Sequence, residues 1–223
     1  MCYSPEADLV AGLVVGGVGI NALYHADDRR KKTLAAIPVL LAAHQLVEAV
    51  AWWGLEGQVS RAAGDVAVSV FLLIALGVVP IVVPFAVMRS EPNLRRRRRM
   101  VPFVVLGIAV AAVLLMGIAT NPYGAAIGGR YIAYETVIFG GGLTVALYGL
   151  AVCVPFLMSS HRRLVIFGLA NVAALMVLSA LLTSGLISLW CVWAAVSSVV
   201  IALHIREISG TRSTGRSPAA LAG

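Results

Sequence analysis

The chain has 223 residues, of which 60% are hydrophobic and only 12% charged, and its mean hydropathy is +0.94. A soluble domain is about half apolar and about a quarter charged, and one of this size has too little interior to hide so much apolar surface. Intrinsic disorder needs the opposite composition, so the composition points to an integral membrane protein.

Seven apolar stretches approach the ~20 residues that a helix needs to cross a bilayer: 7–24, 33–54, 66–88, 100–120, 136–158, 164–185 and 187–205. The runs are apolar on all faces, as helices in lipid are and alternating barrel strands are not. The expected fold is therefore all-α, a seven-helix membrane bundle over residues 1–208, followed by a disordered tail over 209–223. The first stretch lacks the basic start of a secretory signal and is read as a retained span. Gly12 and Gly16 give it a small-residue contact. Pro80 and Pro84 interrupt the third span and predict a bend there.

Basic residues fall on one side of these spans. The loops after spans one, three and five and the C-terminal tail hold fifteen of the seventeen Lys and Arg residues, leaving Arg61 and Arg130 on the other side. By the positive-inside rule this predicts a multi-pass plasma-membrane protein with its N-terminus outside and its C-terminus in the cytoplasm. The run Arg95–Arg99 then faces anionic lipid headgroups, and the net charge of +7 requires no nucleic-acid partner.

An ionisable side chain inside hydrocarbon is costly and usually faces the bundle interior or a wet cavity. His44 and Glu48 lie within span two, four residues apart and hence on one helix face. With Gln45, Trp52, Tyr148 of span five and Ser197 of span seven, they are the candidate site for a small ligand, an ion or a proton in an outward-facing pocket. The pair can equally staple neighbouring helices. A third possibility is a transition metal held by Cys2, His44 and Glu48 in a membrane enzyme. No other cofactor is expected. A retinal Schiff base needs a lysine inside the membrane, and the only lysines, Lys31 and Lys32, lie in a loop. His204 sits too far from His44 in depth to share a haem or a metal with it. Trp52, Trp53, Trp190 and Trp193 suggest an interfacial aromatic belt, with an aromatic lid over a pocket as the alternative. A Cys2–Cys191 bridge remains open, while Cys153 falls toward the opposite side.

The opening Met1-Cys2-Tyr3-Ser4, the glycine-rich first span and His44-Gln45-Leu46-Val47-Glu48 followed by Trp52-Trp53-Gly54 resemble an uncharacterised family. Its members are small, largely actinobacterial integral membrane proteins that open Met-Cys-aromatic-Ser and carry His-Gln-x-x-Glu in the second span. The resemblance is best over residues 1–57. It implies membrane localisation, draws attention to Cys2, His44 and Glu48, and implies no mechanism.

Overall fold

The computed structural model describes residues 4–129 and 131–181. They form helices α1 (Pro5–His25), α2 (Arg29–Leu55), α3 (Arg61–Leu72), a π-helical segment (Leu73–Val78), α4 (Val79–Ser90), α5 (Leu94–Thr120), α6 (Gly142–Leu157) and α7 (Arg162–Leu181). The helix caps follow from local sequence. Ser4, Asp28, Ser60 and Asn93 each accept a backbone amide at the start of α1, α2, α3 and α5. The expected seventh span, 187–205, and the tail lie outside the described residues.

Among the described residues, four helical stretches are long and apolar enough to cross a membrane: Pro5–His25, Arg29–Leu55, Arg61–Ser90 and Leu94–Thr120. The fifth expected span, 136–158, is helical only over Gly142–Leu157, a shorter apolar helix. Ahead of it the structure departs from an all-helical chain. Strands β1 (Gly124–Ile127) and β2 (Ile132–Glu135) form an antiparallel hairpin in which Ala125 pairs with Tyr134 and Ile127 with Ile132. Ile132 and Tyr134 share one strand face, and both pack onto the helices. Gly140 and Gly141, at φ 78° and 52°, then turn the chain into α6, a conformation that side-chain-bearing residues rarely adopt.

α1 and α2 run antiparallel through a small-residue seam. Cβ atoms built on Gly12 and Gly19 would fall 2.8 Å from Leu46 and 2.9 Å from Val39. Gly12 therefore belongs to a close helix contact, as its spacing to Gly16 suggests. The core divides into two apolar clusters. One joins Ala26, Leu34, Met100, Leu164 and Phe167 at what we term the basic end. The other joins Ala51, Trp52, Phe71, Leu72 and Ile132 at the hairpin end.

The bend expected at Pro80 and Pro84 is a π-helical turn immediately before Pro80. The Val79 amide reaches back five residues to the Ile74 carbonyl instead of four. In that register the next amide, due at the Ala75 carbonyl, would be that of Pro80, which has none. The hydroxyl of Tyr148 supplies the missing donor, at 2.8 Å from the Ala75 oxygen. A wide turn in a helix thus arises from one proline and is closed by a tyrosine two passes away.

Candidate functional site

The polar residues of α2 fall between the two apolar clusters. Leu41 belongs to the cluster at the basic end, Ala51 and Trp52 to the other, and His44, Gln45 and Glu48 come between. All three are buried, with Glu48 0% exposed and His44 7% exposed. At 100° per residue, Glu48, Trp52 and Gln45 occupy an arc of about 60° on α2, with His44 about 40° to one side of it. A carboxylate, an imidazole, a carboxamide and an indole N–H thus share one buried stripe.

The imidazole of His44 stacks on Phe71 of α3, with ring centroids 4.0 Å apart. Phe71 stacks on Tyr134 of β2, at 4.3 Å and nearly parallel. Three rings from α2, α3 and the hairpin therefore run from the polar stripe toward the hairpin end. The Nε2 of His44 is buried and has no hydrogen-bond partner among the described residues. Trp52 Nε1 is likewise buried and unpartnered among the described residues. These two nitrogens lie one helical turn on either side of Glu48. A buried polar nitrogen without a hydrogen-bond partner costs about 1–3 kcal/mol, so both positions suit a polar guest.

Trp52 is 3% exposed and part of the core, which removes it from the lipid-facing belt. Its neighbours explain this: α2 is covered at that level by α3 and by the hairpin, whose Ile132 is itself buried. Tyr134 comes from the connection between α5 and α6 and stacks inward on Phe71.

Tyr148 packs against both apolar clusters and so sits at the level of the polar stripe. Its hydroxyl proton is committed to the Ala75 carbonyl, which gives it a structural duty whatever else it contacts. Replacing it with phenylalanine leaves that carbonyl without a donor inside the bundle. Tyr148→Phe is expected to cost about 1 kcal/mol, read as a lower unfolding midpoint of the detergent-solubilised protein. Thr144 is spent locally, donating to the Phe139 carbonyl just before α6.

Cys2, Cys191 and Ser197 lie outside the described residues, so the set Cys2, His44 and Glu48 and the Cys2–Cys191 bridge are not placed by the structure. Among the described residues no group of three His, Cys, Asp or Glu could hold a metal ion. Cys153 is a buried free thiol.

Two buried carboxylates escaped the sequence reading. Asp8 is 1% exposed on the face of α1 that packs against α2. Its burial is foreshadowed by the spacing Pro5, Asp8, Gly12, Val15, Gly19, Ala22, which repeats every three or four residues. Glu91, also 1% exposed, lies in the loop between α4 and α5. It accepts from the Ser160 amide at 2.7 Å, from the Ser160 hydroxyl and from the Asn93 amide at 3.1 Å. It thereby ties that loop to the one between α6 and α7. Arg96 adds to the tie, donating to the carbonyls of Met158 and Ser159 at 3.3 and 3.0 Å.

The chain matches no curated protein and no solved structure. Residues 1–216 match the model of a family of unknown function, DUF6629, and the chain belongs to that family.

Proposed function

We propose that the protein is a seven-span plasma-membrane protein, N-terminus outside, that binds or moves a small polar ligand, an ion or a proton at the buried stripe of α2. The orientation rests on the one-sided distribution of Lys and Arg. It puts the hairpin end outside and makes Tyr134 and Phe71 the cover of the site. The observation that carries the functional reading is the pair of buried nitrogens, His44 Nε2 and Trp52 Nε1, that have no partner among the described residues and flank a fully buried glutamate. Glu48 places a carboxyl group between these two nitrogens, and His44 supplies an imidazole, a group able to give or take a proton.

The proton is the simplest probe. In vesicles containing the purified protein and a trapped pH indicator, an imposed pH gradient is expected to collapse through the wild-type protein. Glu48→Gln keeps the shape of the side chain and removes its titration. It is expected to slow the proton flux about a hundredfold, the scale of a lost proton-transfer group, with little change in unfolding midpoint. Wild-type flux no faster than that of protein-free vesicles would remove the proton from this reading.

The His44–Phe71–Tyr134 stack favours a second reading, in which the stripe only fixes how α2, α3 and the hairpin pack. A buried polar group kept for packing alone can be exchanged for an apolar one with neutral or favourable effect. Glu48→Leu separates the two. A stability gain with flux intact supports the packing role, and loss of flux from a folded protein supports the binding site.

A further inference from the structure

The ends of α2, α5 and α7 pose an electrostatic problem that the stripe of α2 does not explain. All three helices begin at the basic end. Their neighbours there share one apolar cluster, and the Glu91 and Arg96 bonds join the α4–α5 and α6–α7 connections. A helix N-terminus carries partial positive charge and favours acidic residues in its first turn. None of the three has one. They open instead with Arg29, Arg30, Lys31 and Lys32, with Arg95–Arg99 after Leu94, and with Arg162 and Arg163. Lys31 forms a salt bridge with Asp27, at 2.7 Å. Like charge is gathered where the backbone already disfavours it, so an anionic partner from outside the chain would relieve it.

α5 shows what kind of anion fits. Measured round the helix from Leu94 at 100° per residue, Arg97, Arg98, Val101, Val105, Ile108 and Met116 all lie within about 60°. The apolar members of this stripe are exposed: Leu94 66%, Val101 46%, Val105 59%, Ile108 50% and Met116 58%. Arg96 lies on the opposite face, with buried Met100 and Gly107, where it serves the α6–α7 connection. The outward face of α5 is thus a long apolar strip with two arginines near its upper end.

We propose that this face seats an anionic phospholipid, its acyl chain along Val101, Val105, Ile108 and Met116 and its phosphate between Arg97 and Arg98. Arginine suits a phosphate because its planar fork can donate two parallel hydrogen bonds. The apolar strip directly below the arginines singles out a lipid over a nucleic acid, whose backbone has nothing to place there.

The test uses the full-length protein in detergent, offered phosphatidylglycerol or phosphatidylcholine of identical chains, with retained lipid counted by native mass spectrometry. The wild type is expected to prefer phosphatidylglycerol, and more salt is expected to weaken the preference. R97Q/R98Q is expected to lower the preference about thirtyfold, from the contribution of two basic residues at a membrane surface. R95Q/R99Q removes the same charge from positions about 100° and about 140° round the helix from Leu94, and is expected to lower it much less. R97K/R98K retains the charge and is expected to keep most of the preference, which guards against loss through misfolding. Equal losses in the two glutamine variants would overturn the proposal, leaving a diffuse charge effect. So would a single-stranded oligonucleotide that binds the wild type while phosphatidylglycerol shows no preference.

Discussion

Gly107→Ala is expected to destabilise the protein by about 2 kcal/mol, the scale of an overpacked core position, where an open helix site would show the opposite sign. Alanine is normally the better helix residue, by about 1 kcal/mol over glycine. Gly17 of α1 is the internal comparison. A Cβ there meets nothing within 4 Å, so Gly17→Ala is expected to be neutral or stabilising by up to ~1 kcal/mol. At Gly107 the Cβ would collide with the Pro80 carbonyl oxygen. That contact is with backbone, so no side chain can swing aside, and α4 and α5 must separate.

The cause lies in the two prolines. The Pro80 carbonyl would normally accept the amide of residue 84, but Pro84 has no N–H. Its oxygen is therefore open toward α5, and Gly107 lets the neighbouring backbone approach it. A weak Cα–H···O contact is the sort of interaction such an approach permits. Unfolding midpoints of the wild type, Gly107→Ala and Gly17→Ala in one detergent check the prediction. A Gly107→Ala midpoint at or above wild type would mean that α4 and α5 do not meet as closely as described.

How much of this was legible beforehand differs by level. Long apolar runs announce helices, and α1, α2 and α5 appear where hydropathy puts them. The hairpin was hidden because its strands are four residues long and β1 is Gly-Ala-Ala-Ile, a composition with little strand propensity. It forms because Ile132 and Tyr134 find an apolar surface on the helices, a tertiary cause that no local pattern displays. His44, Gln45 and Glu48 were visible because charge inside an apolar run stands out. Trp52 fits both the candidate site and the headgroup belt in the sequence, because an indole near a helix end suits either environment, and the neighbouring hairpin buries it. Tyr148 could be placed near the right depth, but its duty at Ala75 requires knowing that a π turn precedes Pro80. Glu91 was invisible because an acid in a basic loop looks like ordinary surface charge.

Glu91→Ala is expected to cost about 2–3 kcal/mol, since it removes the acceptor for several hydrogen bonds to a charged group. The amides of Ser160 and Asn93 and the Ser160 hydroxyl lose their common partner. Glu91→Gln keeps an acceptor oxygen and is expected to lose about half as much. Acid should do to the wild type what Gln does to the variant. Burial opposes the Glu91 charge, but the Ser160 hydroxyl, the Ser160 and Asn93 amides and nearby His161 outweigh it and hold the carboxyl below the usual range. A carboxyl with a folded pKa below its unfolded value stabilises the folded state above the unfolded pKa, about 4.3 for glutamate. That contribution fades as the pH falls from there through the folded pKa. The unfolding midpoint of the wild type should therefore drop on acidification below that range, and Glu91→Gln should drop less. Parallel midpoint-against-pH curves for the two would show that the clasp between the loops carries none of the acid sensitivity. A difference confined to the acid limb would locate it there, at a carboxylate 69 residues in sequence from the Ser160 amide it holds.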